Sequence, residues 1–493
     1  MSNKAQRNKK KRKSKFTAPG ILVSAIMAVI NLAFLIALLH AQLLPVKILL
    51  PVCLVILALL ALEIFLVSNH KKKARFRAGF IISLVMTVIL VLGGLYLTRG
   101  VQALNKITSG EQVDHVDVYV LEEDPAQELS DAADYTFGVF KSPDYDHIEE
   151  TITHINEKLD TEIRVKSYRK LTEMIDALMD EEIDAVITRE GYLALLDDTK
   201  GYETAKAQLR SIYQVEFRDK ITEEKPERKG NAFTVYISGI DTYGGVSNKS
   251  RSDVNILATV NPDTHQILLI STPRDYYVPL SISDGIPDKL THAGLYGVDV
   301  SMDTIGMIYD MNVDYFFRVN FSGFEDIINS LGGITVHSDY AFSTAQGYYF
   351  DAGDNELDGA AALSFARERY SFEDGDRQRG RNQMAIIQAV MQKAMSPDIL
   401  KNYQSLLDAV EGNFQTSVPY DLIASLVRDQ LSSGAEWNIV SYSVNGTGGN
   451  EIPYSMSTSV YVMYPDETTV NTAKKLMEQV LDGEIVSEPQ EQE

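Results

Sequence analysis

Residues 233–241 read FTVYISGID, an apolar run that ends in an aspartate and is followed by the flexible turn TYGG. A short apolar run bounded by turn residues is typical of a buried strand in an α/β domain. Ligands collect at the ends of such strands. We therefore expect Asp241 to lie at a ligand-binding edge of a sheet.

Further strands and helices follow over residues 231–482, which we predict to form one α/β domain. Predicted strands cover 254–260, 266–270, 315–320, 334–337 and 437–444. Predicted helices cover 301–309, 324–330, 358–370, 379–395, 421–430 and 470–481. The charged tail 483–493 is predicted to be disordered.

Three apolar stretches, 21–39, 43–67 and 79–97, precede this domain, and each is close to the length of a membrane-spanning helix. Residues 1–99 carry 15 Lys and Arg but a single acid, Glu63, although the whole chain has a net charge of −22. Most of these basic residues precede the first span or lie in the link between the second and third spans. The positive-inside rule then predicts a cytoplasmic tail over 1–20, three spans over 21–99, and an extracytoplasmic remainder.

The acidic remainder argues against nucleic-acid binding. Its lack of cysteine excludes an intramolecular disulfide there and would fit a Gram-positive cell surface. Residues 100–225 alternate strand-like and helix-like segments and predict a small accessory α/β domain. We find no catalytic constellation in it, and the polar linker 225–231 separates it from the larger domain.

The segment 366–383, ARERYSFEDGDRQRGRNQ, places five arginines in an acidic chain. Arginine binds phosphate well because its planar fork donates two parallel hydrogen bonds. Arg379 and Gln383 are four residues apart and share a helix face. Arg377 and Arg381 are expected to be solvated or supporting, and a charge run of this kind can also be merely an exposed surface.

Two carboxylates complete the candidate site. Asp241 and Asp253 lie where two successive strands end and begin, so that together they could hold Mg²⁺ through hard oxygen ligands. Alternatively, each caps a turn. Arg274 ends a third strand, and Asp275 beside it could orient the guanidinium. His292 is interpreted as a packed loop histidine, and no serine-hydrolase, zinc-protease or Walker motif occurs.

In chain order, the motifs SGID (238–241), RSD (251–253), PRD (273–275), VNFSGF (319–324), LGGI (331–334), FARER (365–369) and GDRQRGRNQ (375–383) resemble the LytR-CpsA-Psr family. The layout of three spans and an accessory domain most resembles its capsule-associated CpsA branch. Many relatives read Gly-Asp-Phe-Gly-Arg where Arg377 and Gln378 stand here.

The resemblance implies an α/β/α catalytic domain with a central mixed sheet. It also implies a multi-pass membrane transferase with its large domain outside the cell. Such enzymes move a glycopolymer, capsular polysaccharide or wall teichoic acid, from an undecaprenyl-pyrophosphate carrier to peptidoglycan as a phosphodiester. The expected partners are therefore the lipid-linked polymer, peptidoglycan and membrane lipid, with capsule-assembly proteins as further candidates.

The resemblance also assigns roles. Asp241 and Asp253 would hold Mg²⁺, or Mn²⁺ in its place. Either aspartate could act as the base. Arg251 would pair with a carboxylate and support the site. The pyrophosphate ligands would be Arg274, Arg367, Arg369, Arg379 and Gln383. Two alternatives stay open: a polyprenyl-pyrophosphate phosphatase, and a non-catalytic regulator that binds the lipid-linked polymer.

Overall fold

The computed structural model describes residues 18–68, 72–108, 111–141, 145–221, 230–240, 245–372, 375–395 and 413–487. Asp241 lies outside the described residues, as do the basic tail up to residue 17, most of the predicted linker and the last six residues. The predictions made for those residues, and the predicted domain boundaries, stay predictions.

The helices are α1 (Ala18–His40), α2 (Val46–Val67), α3 (Lys73–Ile107), α4 (Asp146–Leu159), α5 (Leu171–Met179), α6 (Glu190–Asp197), α7 (Ala293–Tyr296), α8 (Val298–Tyr309), α9 (Phe321–Ser330), α10 (Gly359–Arg367), α11 (Asp376–Ala394), α12 (Tyr420–Ser433) and α13 (Glu467–Leu481). The strands of the two larger sheets are β1 (Glu111–Leu121), β2 (Thr136–Phe140), β3 (Arg164–Tyr168), β4 (Ala185–Arg189), β5 (Leu209–Lys220), β6 (Phe233–Ile240), β7 (Ser252–Asn261), β8 (Gln266–Ser271), β9 (Tyr315–Val319), β10 (Phe414–Thr416) and β11 (Asn438–Ser443). The remaining strands of the described residues pair two by two in small sheets.

One compact unit contains α1, α2, α3 and α12. Its first three helices are long and apolar enough to cross a membrane. Helix α2 begins at Val46, later than the apolar stretch predicts, because the extended Pro45 stands immediately before it. Helix α12 lies against the turn between α1 and α2, where the Tyr420 hydroxyl donates to the Ala41 carbonyl at 2.5 Å.

The second unit contains both larger sheets. The first sheet has the order β3-β2-β4-β1-β5, with β2 parallel to β3 and β4, and with β1 antiparallel to β4 and β5. The predicted α/β character of this region is confirmed. Helix α6 and strand β5 were not predicted. Strand β5 is mostly half-buried or exposed and therefore lacks the apolar run of a buried strand.

The second sheet has the order β10-β9-β6-β7-β8-β11 and is mixed. Strands β9 and β6 are parallel, as are β8 and β11, whereas β7 is antiparallel to both of its neighbours. The predicted central mixed sheet is confirmed. Because β6 and β7 run in opposite directions, the end of the first meets the start of the second, and Ile240 pairs with Ser252.

The two faces of this sheet have different environments because successive side chains on a strand point to opposite faces. Tyr236, Leu257 and Phe316 point to one face and pack in a buried apolar cluster with side chains of α8 and α13. Their neighbours Val235, Ala258 and Phe317 point to the other face and line an open cavity instead. The sheet thus lies between helices on one side and a cavity covered by α9 and α11 on the other, an α/β/α arrangement.

Candidate functional site

The carboxylate of Asp253 and the guanidinium of Arg274 form the centre of the candidate site. Asp253 is the second residue of β7, and Arg274 follows β8 by three residues. Because β7 and β8 are antiparallel, these positions meet at one edge of the sheet. Arg274 Nη1 donates to Asp253 Oδ1 at 2.9 Å, and the Thr291 hydroxyl donates to the same oxygen at 3.2 Å.

Burial tends to raise the pKa of the Asp253 carboxyl. The surrounding guanidinium groups, that of Arg274 first, outweigh burial and hold this pKa below its ordinary value. For Arg274, burial disfavours the charged form, but the neighbouring carboxylates raise its pKa overall, that of Asp253 most. Both groups are therefore charged at neutral pH.

The arginine-rich segment begins at the end of α10. This helix ends at Arg367, three residues before the predicted end, because Glu368 is extended. The Glu368 carboxylate accepts hydrogen bonds from the backbone N–H groups of Tyr370 and Ser371, at 2.8 and 3.0 Å, and holds the turn that follows. The Arg367 guanidinium lies 4.4 Å from the centre of the Phe321 ring.

Arg369 stands beyond the helix, and its guanidinium lies 4.6 Å from the centre of the Tyr370 ring. The predicted helix over 358–370 included Arg369, and this prediction is wrong for Arg369. Both side chains nonetheless line the same cavity. Tyr370 also lines it and is 82% exposed, so an aromatic surface stands at the cavity mouth.

Helix α11 carries Arg379 and Gln383, which line the cavity as well. Gln383 Nε2 donates to the Ala366 carbonyl at 3.4 Å and so ties α11 to α10. A Cβ at position 380 would lie 2.9 Å from Ser271 Oγ, so Gly380 lets α11 approach the end of β8 closely. Arg377 lines a small adjacent recess of about 20 Å³. Arg381 donates to Gln378 at 2.9 Å, a supporting contact.

The cavity has a volume of about 670 Å³. The charged residues that line it are Asp198, Arg251, Asp253, Arg274, Arg367, Glu368, Arg369 and Arg379. Its apolar walls include Val235, Ile237, Ala258, Val260, Phe317, Val319, Phe324, Ile327, Ile386, Ile387 and Val390. An anionic group attached to a long apolar chain would find both of its parts matched here.

The donor chemistry at Asp253 suits a hard divalent cation. Its carboxylate is ionised at neutral pH, and both hydrogen bonds that it accepts from the described residues fall on Oδ1. Within the described part of the chain, no group of three His, Cys, Asp or Glu side chains could hold a metal. A metal here would therefore depend on Asp253, on Asp241 outside the described residues, and on oxygens of the substrate and water.

Arg251 pairs with a carboxylate, as predicted, but the partner was missed. Its Nη1 lies 3.1 Å from Oδ2 of Asp198, which follows α6 in the region predicted as accessory. Lys289 was also missed, and its ammonium lies 2.6 Å from Asp275 Oδ1. The adjacent acids Asp197 and Asp198 at the end of an apolar segment were the available signal for α6 and its carboxylates.

His292 is fully buried between Asp288 and Ser455, at 2.7 and 2.9 Å from Nδ1. This placement confirms the interpretation of a packed histidine. Thus Arg251, Asp253, Arg274, Arg367, Arg369, Arg379 and Gln383 all line one cavity. Their predicted chemical roles stay predictions.

Comparisons with known proteins agree on one family. The model described as the LytR_cpsA_psr family matches residues 197–479. A relative from Bacillus subtilis strain 168, "Polyisoprenyl-teichoic acid--peptidoglycan teichoic acid transferase TagU", is 32% identical over 284 residues, 57% of this chain and 88% of the relative. The protein of the same name from Enterococcus faecalis is 35% identical over 236 residues, 48% of this chain and 73% of the relative.

Solved structures are similar over about half of the chain. The crystal structure of B. subtilis TagV is 27% identical and covers 52% of this chain and 98% of its own, with a TM-score of 0.43. The structure titled "TagT bound to LI-WTA" is 25% identical and covers 53% of this chain and 99% of its own, with a TM-score of 0.41.

Proposed function

The chain belongs to the LytR_cpsA_psr family, and from this premise we propose that it transfers a glycopolymer from a polyprenyl-pyrophosphate carrier to peptidoglycan. Its relatives are named as teichoic acid transferases that use a polyisoprenyl-linked polymer and peptidoglycan. The observation that carries the proposal is a cavity of about 670 Å³ whose lining combines several arginines with apolar walls. A polyprenyl pyrophosphate has the same two parts.

In the proposed reaction, an acceptor hydroxyl of peptidoglycan attacks the phosphorus atom that carries the polymer. A phosphodiester forms between acceptor and polymer, the pyrophosphate bridge breaks, and polyprenyl phosphate leaves while the hydroxyl loses its proton. Arg274, Arg369 and Arg379 would neutralise the charge on the pyrophosphate oxygens. Phosphoryl transfer depends chiefly on such neutralisation and on positioning, so no protein nucleophile is required.

Mg²⁺, when bound through Asp253 and Asp241, would supply further charge neutralisation at the pyrophosphate. The lowered pKa of Asp253 keeps its carboxylate charged at neutral pH, as a metal ligand requires. Asp241 and Asp253 both stay candidates from the sequence for the base that takes the proton of the acceptor hydroxyl.

We further propose a multi-pass membrane location with the large domain outside the cell. The three apolar helices and the basic flanks of the first and third support it. Helix α12 gives additional support. It belongs to the part of the chain predicted to lie outside, and it contacts the turn between α1 and α2, which the charge pattern also places outside.

The polymer is either a teichoic acid, as the names of the relatives indicate, or a capsular polysaccharide, as the resemblance to the CpsA branch indicates. The full-length protein in liposomes, supplied in turn with each lipid-linked polymer and with a peptidoglycan oligomer, tests the proposal. Mass spectrometry should detect the acceptor-linked phosphodiester and one equivalent of polyprenyl phosphate. Replacement of Arg274 by Ala should lower the rate about 10²–10³-fold.

Other products would contradict the proposal in distinct ways. Release of a phosphorylated polymer without an acceptor, with water as nucleophile, would indicate the phosphatase alternative. The regulator alternative predicts that Asp241→Ala still binds the lipid-linked polymer. It also predicts that no product forms with peptidoglycan or with water as the acceptor.

A further inference from the structure

We propose that Asp198, supplied by the region ahead of the catalytic sheet, is a positioning residue that holds Arg251 in the cavity lining and Lys289 beside it. The inference rests on the proposed function, because it gives a residue outside the recognised motifs a part in the same site. The accessory sheet would then be a structural component of the transferase site.

The contacts of Asp198 carry the inference. Its Oδ2 lies 3.1 Å from Arg251 Nη1 and 3.7 Å from Lys289 Nζ. The side chains of Arg251 and Lys289 are only 9% and 5% exposed. A buried cation is costly unless an anion faces it, and one carboxylate here faces two. Asp197, a further acid beside Arg251, is 44% exposed and lies 3.9 Å from Arg251 Nη2.

The charges continue from Asp198 to the centre of the site in alternating sign. Lys289 Nζ lies 2.6 Å from Asp275 Oδ1, and Asp275 Oδ2 lies 3.7 Å from Arg274 Nε. Arg274 in turn donates to Asp253 at 2.9 Å. Loss of the first carboxylate therefore leaves Arg251 and Lys289 short of negative charge and draws them toward Asp275 or the substrate.

Asp198 is held firmly enough to act in this way because the accessory sheet packs on the catalytic domain. Arg189, at the end of β4, is 2% exposed and donates both to Asp114 and to the Leu295 carbonyl. The Gln112 side chain accepts from the Val298 N–H at 2.8 Å. Leucines of α6 share one buried apolar cluster with Leu295 and Tyr296.

The charge state of Asp198 fits the assignment. Burial tends to raise its pKa, but Lys289 and Arg251 outweigh burial and lower it. Asp198 also lines the cavity beside Arg251. A carboxylate at this place would repel a pyrophosphate if it acted directly, so its contribution has to pass through the cations that it holds.

The test compares Asp198→Asn, Asp198→Glu and the control Asp197→Asn in the full-length protein. Polymer transfer and the binding of inorganic pyrophosphate are both measured. Asp198→Asn should lower kcat at least tenfold and weaken pyrophosphate binding, Asp198→Glu should recover part of both, and Asp197→Asn should stay within twofold of wild type. A double-mutant cycle with Arg251→Lys should show non-additive losses, since both residues act through one guanidinium.

Two results would overturn the inference: an Asp198→Asn protein within twofold of wild type in both measurements, or additive losses in the cycle. If the variants have equal thermal midpoints, the loss of activity comes from lost positioning and not from unfolding. If the midpoints differ, recovery of activity in Asp198→Glu makes the same distinction. A wild type that binds pyrophosphate but transfers no polymer contradicts the proposed function alone. A wild type that does neither contradicts both.

Discussion

The guanidinium of Arg274 contacts several groups at once, in directions that its planar shape determines. It donates to Asp253 at 2.9 Å, lies beside Asp275, and lines both the main cavity and the small recess. A planar fork can serve a carboxylate and a phosphate at once, whereas an ammonium group is a compact point charge. Position 274 therefore tests whether the shape of the cation matters in addition to its charge.

We predict that Arg274→Lys lowers kcat/KM for transfer by roughly tenfold or more, although the charge is kept. Arg381→Lys is the matched control, because Arg381 contacts Gln378 and does not belong to the cavity lining. Steady-state kinetics on the two variants gives the comparison. Equal rates for Arg274→Lys and wild type would show that only the charge is used.

Residue-scale prediction from sequence succeeds where local spacing determines position. Asp253 and Arg274 meet because their strands are antiparallel neighbours, and Arg379 and Gln383 share a face because they are four apart on α11. Asp198 was missed because it reaches Arg251 across 53 residues of sequence. No local pattern encodes a pairing between two separate sheets.

At the scale of elements, the start of α9 determines where the Phe321 ring stands beneath Arg367. Asn320 caps this helix, and its side-chain oxygen accepts from the Gly323 N–H at 2.7 Å. We predict that Asn320→Ala destabilises the protein by about 1 kcal/mol and also lowers transfer, because the first turn carries Phe321.

The cap of α13 provides the control for this prediction. Asp466 accepts from the Thr468 N–H at 2.8 Å in the same way, but α13 packs on the opposite face of the sheet. Asp466→Ala should cost a similar free energy of unfolding and leave transfer unchanged. Chemical denaturation and the transfer assay together measure both effects, and equal activity of the two variants would contradict the role of α9.

The contact between α4 and β1 predicts that the stability of the protein depends on pH. His147 Nδ1 donates to the Asp114 carboxylate at 2.8 Å, and this hydrogen bond raises the pKa of His147 above its ordinary value of 6.5. A histidine whose pKa is raised by folding stabilises the folded state. This stabilisation is fully present below the pKa of the unfolded state and is lost as pH rises through the pKa of the folded state. We predict that the thermal midpoint falls as pH rises above about 6.5.

His147→Gln should flatten this pH dependence, and His337→Gln should leave it as in wild type. His337 also faces a carboxylate, that of Asp354 at 2.8 Å, but its side chain is 68% exposed and the pair is therefore screened by water. Calorimetry between pH 5.5 and 8.5 measures the slopes. If His147→Gln keeps the wild-type slope, the pH dependence of the thermal midpoint comes from another titrating group.

Most elements could be predicted, because their apolar periods are strong, but several boundaries could not. Helix α10 ends three residues early because the Glu368 carboxylate takes up the backbone N–H groups of the next turn. Strand β5 was missed because one of its faces is wet. The strand β1 that pairs with β5 is remote in sequence, and no local window contains both. Glu368 lies inside such a window, but element boundaries are the part of a prediction that local patterns determine least.

At the scale of the whole chain, the proposed use of the cavity depends on the three apolar N-terminal helices. A lipid-linked substrate reaches the cavity only if the catalytic domain is attached to the membrane on the side where peptidoglycan lies. In the proposed function the three apolar helices would supply this attachment, and their basic flanks predict its direction. The contact of Arg428 with the Gln42 carbonyl, at 2.6 Å, places a segment of the C-terminal half against the turn between α1 and α2.

This arrangement predicts which cysteines a membrane-impermeant maleimide can label on intact cells. The only native cysteine, Cys53, lies in α2 and is removed by Cys53→Ser. In that background, Ser281→Cys, in an exposed part of the catalytic domain, should react on intact cells. Ser14→Cys, in the basic tail, should react only after the membrane is permeabilised. Labelling of Ser14→Cys on intact cells, with Ser281→Cys protected, would place the catalytic cavity on the cytoplasmic side and away from peptidoglycan.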